Sequence, residues 1–536
     1  MRSPIKFAVA GAFTLAAVSA YAANDAAQTG SDWPSYNRTL TSERFSPLNA
    51  INASNVGKLK VHCTFDTGEV SGFQSSLVQT AGALFATTEH GTYSINPDTC
   101  ALNWKAWEDF PNSYLGSQRG VAVADGRVFR GARNGHVYAY DAKTGARLWD
   151  TELADPKQGE STPAAPIVWN GLVFIGTAGG DTRGVKGRMY GLDAATGKIV
   201  WEFYMVPKSP GDKERGPQAQ SAAQPDTWKG VAVADISGGG TWTSYTLDPE
   251  RGELYVPGGN PSPDFAKDLR TGSNLFGGSV VVLDARTGAY KRHYSLVPSD
   301  FHDWDVASAP ALAVIQGRRL MATTPKNGML YTHDLDSGHM LYQKAVTTRT
   351  NVDTPLSDKT ATRFCPGIAG GSEWNGPAFD MLHSAIVTGQ VDWCDTVKLA
   401  NPDAIRAVQR GQVWSGAEKQ DFGASDKDWA GWVTSVDALT GKQRWRFHSP
   451  EPVIAGVTPT AGNLVFFGDR GGTLRALNAD NGHVLKTWKL DGALGGGIIT
   501  YDTGAGQKVA VAAGMNMGLW KTTGKTTSKI IVLAAD

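Results

Sequence analysis

Between Pro298 and Asp305 the chain reads PSDFHDWD, three carboxylates and a histidine crowded beside a tryptophan. Asp303 and Asp305 stand two positions apart. On extended backbone such side chains face one way, and two like charges pressed together are costly unless a cation or a proton shares the site. Oxygen donors in that arrangement suit a hard cation. Upstream, GGGTW sets Trp242 behind three glycines, which let a backbone or a flat ligand come close. GGNPSP places Asn260 in a turn with its side-chain oxygen available to the same kind of cation. Singly, these are an ordinary turn-former and solvated loop carboxylates. Their combination changes those odds.

The elements that must position this set repeat along the chain. NPDTCALNW from Asn96, DAKTGARLW from Asp141, DAATGKIVW from Asp193 and DARTGAYKR from Asp284 share one pattern, as do DLDSGHMLY from Asp334, DALTGKQRW from Asp437 and NADNGHVLK from Asn478. In each, Asp or Asn opens a turn and Gly (Cys100 in the first) closes it, after a small apolar strand such as GHVYAY or GSVVVL. That is a β-hairpin, with the Asx side chain capping the turn and glycine supplying the positive φ. The starts lie 45, 52, 91, 50, 103 and 41 residues apart. About 40–50 residues suits one four-stranded propeller blade, and the two wide intervals each add an insertion. Strand-like sequence after Asn478 and DWPSYNRTLTSERFSPL near the start pair to close the ring and remove exposed edges. The expected fold is all-β: an eight-bladed β-propeller of four-stranded antiparallel blades, closed by N- and C-terminal strands, with seven blades as the alternative. Trp104, Trp149, Trp201 and Trp445 recur in register and are expected to pack between blades. Functional residues should be those that break the repeat.

Bulk composition narrows the function classes. Lys+Arg and Asp+Glu are both 51, so no basic field draws nucleic acid. The opening MRSPIKFAVAGAFTLAAVSAYAANDAA has the charged, apolar and small-residue regions of a secretory signal peptide, assigned to residues 1–23. Residues 24–536 then form a single exported domain, with no later stretch apolar enough to span a bilayer. In that setting the four cysteines suggest two disulfides, and their order favours Cys63–Cys100 and Cys365–Cys394. None lies in a CxxCH haem motif. No GxGxxG opens a helix after a strand, which disfavours a nicotinamide enzyme.

From DWPSYNR to the C-terminal strands the chain resembles the pyrroloquinoline quinone (PQQ) dependent alcohol dehydrogenases, periplasmic eight-bladed quinoproteins. GGGTW, GGNPSP through DLRTGSNL, PSDFHDWD and TPKNGMLY carry the resemblance most specifically. It implies that Trp242 is the floor beneath the quinone and Asn260 an amide ligand of the metal. It further implies that Asp303 is the catalytic base near the metal and that Lys326, in TPKNG, hydrogen-bonds the reactive carbonyl. Arg119 in GSQRGVAV matches an arginine at the cofactor's edge, and Asp181 in GTAGGDTRG aligns with a metal-binding glutamate. Gly179, Gly180, Thr162, Gln74, Glu373 and Trp374 fall at cofactor-contact positions. Asp305 resembles the additional carboxylate of the lanthanide-using branch, with calcium as the default metal.

The departures are specific. The adjacent cysteine pair common in the family is missing from NSYLGSQRG, Asp181 is one methylene shorter than glutamate, Gln74 replaces an acid and Glu373 an asparagine. The resemblance implies alcohol oxidation by hydride transfer to the quinone, with electrons leaving to a separate carrier such as a soluble cytochrome c. Larger or secondary alcohols are the expected substrates. A non-catalytic exported propeller scaffold, or a quinoprotein acting on sugars or aldehydes, are the alternatives.

Overall fold

In the computed structural model, residues 30–535 are described apart from 114, 218, 422–428, 523 and 525. The expected signal peptide therefore lies outside the described residues. Eight antiparallel sheets of four strands follow one another along the chain, one of them extended by the short parallel strand Gln220–Ser221. The last sheet consists of Leu494–Asp502, Gln507–Ala513 and Lys529–Ala535, completed at its outer edge by Leu59–Asp66. Leu59 pairs with Ala535 and Asp66 with Lys529, so N- and C-terminal strands share a blade as expected, but the closing strand is Leu59–Asp66 and not the expected DWPSYNRTLTSERFSPL stretch, which makes the isolated bridges Trp33–Gln79 and Ser46–Thr460 instead. Eight blades, not seven, make the propeller. The one α-helix among the described residues is Pro402–Ala407. No helix among them is long and apolar enough to cross a membrane.

The repeated turn does two jobs. Asp141 Oδ1 accepts from the backbone N–H of Lys143 and Thr144, and Asp193, Asp284, Asp334 and Asp437 do the same in their own blades. Four residues on, Gly145, Gly197 and Gly288 have φ of +73°, +73° and +70°, and Cys100 has +59°. The second job is packing. Trp104, Trp149, Trp201 and Trp445 donate their indole N–H to the carbonyl of Ala142, Ala194, Ala285 and Ala479, each one blade further on. Each ring lies flat against the neighbouring turn glycine; a Cβ on Gly288 would stand 2.6 Å from Trp201 Cε3. Glycine is thus required twice, by φ and by the indole. Trp488 extends the pattern, donating to Leu59 in the closing strand. Tyr342 takes the tryptophan's place against Gly441.

In an up-and-down blade the first and third turns lie on one face of the ring, and the second turn and the link to the next blade on the other. The Asx turns are third turns. The face opposite them carries the insertions and the off-register residues. Both expected disulfides are formed, Cys63–Cys100 tying the closing strand to the first blade's turn and Cys365–Cys394 tying a loop on the opposite face.

Candidate functional site

Every off-register residue singled out in the sequence comes from a second turn or an interblade link, so the fold gathers them on one face. A cavity of about 360 Å³ opens there. Arg119, Gly179, Asp181, Trp242, Asp303, Asp305, Lys326, Glu373 and Trp374 line it. Arg133, Met517 and Trp520 share the lining; the sequence did not single them out. Leu115, Ile368 and Leu519 add apolar wall.

Lys326 is the hub. Its Nζ lies 2.7 Å from Asp305 Oδ2 and 3.8 Å from both Asp303 Oδ2 and Glu373 Oε1. The three carboxylates hold its ammonium charged against the burial that disfavours it. Asp303 sits at φ +62°, a left-handed backbone that a non-glycine residue adopts at a cost of about 1–2 kcal/mol. Trp374, on the facing loop, has φ +31°. Strain at two cavity residues points to a functional demand on their placement. Around Asp303, Asp300 accepts from the backbone N–H of His302 and Trp304, and His302 stacks on Trp304 with ring centres 3.9 Å apart. Of the three carboxylates and the histidine in PSDFHDWD, Asp300 and His302 are thus structural, and Asp303 and Asp305 face the cavity.

Negative charge is in surplus here. Burial, then the charge of Asp305 and its neighbours, pushes the Asp303 carboxyl well up, partly opposed by Lys326. Asp181 is an exposed residue on the cavity wall; the protein crowded around its carboxyl and then the Asp305 charge raise it too. Burial lifts Glu373 to about 7. Asp305 Oδ1 accepts from the backbone N–H of Asn260 at 2.6 Å. Asp264, another buried carboxylate unnoticed in the sequence although it stands inside GGNPSPD, accepts from Asn260 Nδ2 at 2.9 Å. Oxygen donors alone, with more negative charge than one ammonium balances, fit a hard cation of charge two or three. Among the described residues no three acidic, histidine or cysteine side chains yet converge on one point; they stand spread around Lys326.

The cavity also suits a flat anion. The Trp242 ring, part-exposed among buried neighbours, has the Arg119 guanidinium 4.8 Å and Lys326 Nζ 5.4 Å from its centre. Arg119 lies 4.5 Å from the Trp374 ring as well. Its Nε and Nη1 are buried without a partner, and burial pulls the guanidinium down to about 10. Unpaired donors on a buried cation beside two indole faces fit a planar, carboxylate-bearing molecule.

Three expectations change. Thr162 does not line the cavity: its hydroxyl bonds the carbonyls of Ala132 and His136, and its neighbours Ser161 and Pro163 face inward instead. Gln74 is wholly buried one layer below, with Nε2 3.1 Å from the sulfur of Met517. Gly180 is demanded by packing, since a Cβ would lie 2.9 Å from Gly238 Cα, and Gly179 by φ +110° and the Gly159 carbonyl. The glycines before Trp242 likewise admit backbone: a Cβ on Gly187 would clash with the Gly239 carbonyl. Trp374 is held from below, its Nε1 donating to the Gly495 carbonyl at 2.6 Å, while Tyr36 and Arg44 of the N-terminal DWPSYNR–SER stretch brace Asn375.

A family model described as the glucose/ethanol/alcohol dehydrogenase β-propeller domain, PQQ, matches residues 33–350, and one for the outer membrane protein assembly factor BamB matches 430–528. Quinohemoprotein alcohol dehydrogenase ADH-IIG of Pseudomonas putida is 30% identical over 90% of this chain and 72% of its own. A lanthanide-dependent methanol dehydrogenase of Methylacidiphilum fumariolicum (strain SolV) is 26% identical over 97% of this chain and 92% of its own. The solved structure of ADHIIG from Pseudomonas putida superposes with a TM-score of 0.84 at 26% identity, covering 95% of this chain and 81% of that one. BamB from Moraxella catarrhalis, at 0.50 and 16% over 89% and 99%, shares the fold alone.

Proposed function

The chain belongs to the PQQ-dependent glucose/ethanol/alcohol dehydrogenase β-propeller family, and from that premise we propose that it oxidises a larger or secondary alcohol to the ketone or aldehyde, with Asp303 as base. The observation that carries this reading is the convergence of Asp303, Asp305 and Lys326 beside Trp242 in one cavity. When bound, the quinone supplies the two-electron acceptor and the metal the Lewis acidity. Asp181, Asn260, Asp303 and Asp305 would hold the metal, calcium in the default case. One relative is named lanthanide-dependent, and the Asp305 carboxylate supports use of a trivalent ion here too. Trp242 and Trp374 would offer flat faces to the quinone, and Arg119, whose Nε and Nη1 have no partner among the described residues, would bind its carboxylates.

Asp303 takes the hydroxyl proton of the alcohol at its carboxylate. Its readiness to hold that proton follows from burial among like charges. Lys326 keeps its own proton, fixed by Asp305, and presents an N–H donor to the reacting centre. Leu115, Ile368, Leu519 and Trp520 keep water out and give the alcohol's carbon skeleton an apolar surface. That wall supports substrates with a sizeable apolar part. A separate carrier such as a soluble cytochrome c is the proposed electron acceptor. Two disulfides and the N-terminal pattern over residues 1–23 support export to the periplasm. Replacing Asp303 with Ala should abolish turnover and leave the far-ultraviolet dichroism unchanged; persistent activity would remove Asp303 from the base's role.

A further inference from the structure

Asn260 is the least constrained member of the proposed metal set by chemistry, since an amide offers an oxygen at one end and donors at the other. Its neighbours remove that ambiguity. Nδ2 donates to Asp264 Oδ1 at 2.9 Å and more weakly to the Pro261 carbonyl at 3.5 Å, the side chain also hydrogen-bonds Asp181, the backbone N–H donates to Asp305 Oδ1 at 2.6 Å, and Oδ1 accepts from no donor among the described residues. Asp264 is itself fixed. Its Oδ1 lies 2.6 Å from Ser262 Oγ, which is 2.9 Å from the Gly180 carbonyl. Its carbonyl accepts from Arg270 Nη2 at 3.0 Å. The insertion between the second and third strands of the sixth blade reaches across to both acids: Trp414 N–H donates to the Asp181 carbonyl at 2.6 Å, and the Trp414 carbonyl accepts from Asp264 N–H at 3.3 Å. Asp264 is 5% exposed and does not line the cavity.

We propose that Asp264 is a positioning residue for the cation: by accepting from Asn260 Nδ2 it turns the amide so that Oδ1 is the end left for an ion shared with Asp181, Asp303 and Asp305. This rests on the metal-bearing reading above and deepens it. Partners that orient a ligand typically govern metal affinity by about 10–100-fold. As a buried carboxylate next to that set, Asp264 also favours a trivalent over a divalent ion.

The test is calorimetric titration of chelator-washed full-length protein with calcium chloride and with lanthanum chloride, for the wild type, Asp264→Ala, Asp264→Asn and Asp303→Asn. Asp264→Ala, which cannot accept from Nδ2, is expected to lose about 10–100-fold for both ions. Asp264→Asn keeps an accepting oxygen without the charge; it should bind calcium within about threefold of wild type and lose clearly more for lanthanum. Wild-type affinity in Asp264→Ala overturns the proposal, as does an Asp264→Asn loss equal to that of Asp303→Asn, which would make Asp264 a ligand. Should Asp264→Ala fail to fold, Asp264→Asn decides alone: calcium within about threefold with a clearly larger lanthanum loss supports the proposal, and wild-type affinity for both ions, or a loss equal to that of Asp303→Asn, overturns it. If the wild type binds neither ion, or Asp303→Asn binds like wild type, the metal-site reading falls, and that failure is distinct from one confined to Asp264.

Discussion

Replacing Lys326 with Met tests the electrostatic balance of the cavity directly. The side chain keeps its unbranched stem as far as Cε and loses the ammonium that Asp303, Asp305 and Glu373 share. Removing one partner of a buried ion pair costs about 3–5 kcal/mol, because the opposite charge stays buried unpaired. Here the remaining carboxylates have an escape, which is to bind protons. Glu373 already sits at about 7, above its unfolded value of 4.5, because of burial. A carboxyl raised in the folded state contributes stability below its unfolded pKa and loses it as pH rises through the folded one. The deficit of Lys326→Met should therefore approach the full 3–5 kcal/mol at pH 8 and shrink towards pH 5. Urea denaturation of chelator-treated wild type and variant at both pH values measures it, and added calcium should recover part of the loss at pH 8 by binding the folded state. An equal deficit at both pH values, or none with no response to calcium, would refute the picture of a carboxylate cluster short of positive charge.

Gly288→Ala should cost about 2–4 kcal/mol, from a φ of +70° and from a Cβ forced against Trp201, whereas Gly211→Ala, with nothing within 4 Å, should be neutral; urea midpoints compare them. His333, buried edge-on against Tyr294, is held down to about 4 by burial. A depressed folded pKa means stability is complete above about 6.5 and falls as pH drops towards 4, by about 2–3 kcal/mol from this group. His333→Leu should flatten that slope in denaturation midpoints taken at pH 7.5, 6 and 4.5.

Much of the propeller is legible because its repeat obeys local rules. Asp141 must cap a turn, Gly145 must take positive φ, and Trp104 must find a flat partner, and all three show in the sequence. The ends of the chain carry no such signature, and their pairing follows only from the need to leave no open edge. For the site, Trp242, Asp303, Asp305 and Lys326 are visible because they interrupt the repeat. Asp264 is not: a carboxylate in a polar turn looks solvated until the fold buries it against Asn260. Thr162 and Gln74 stand outside the cavity lining, since position along the chain does not tell which of two adjacent side chains faces inward; Ser161 does, and Thr162 bonds backbone. The insertion that carries Trp414 straps Asp181 and Asp264 through that residue's backbone. Contacts so distant in sequence leave no periodic trace.

The most direct measurement is reconstitution of the purified protein with PQQ and either calcium or lanthanum, followed by artificial-dye reduction across a panel of primary, secondary and bulky alcohols. Reduction that needs quinone, metal and alcohol together, strongest with apolar secondary or larger alcohols, is the predicted result, and the better metal assigns the role of Asp305. No bound quinone and no dye reduction with any alcohol and either metal would contradict the enzymatic reading and leave a propeller whose strained Asp303 serves something else.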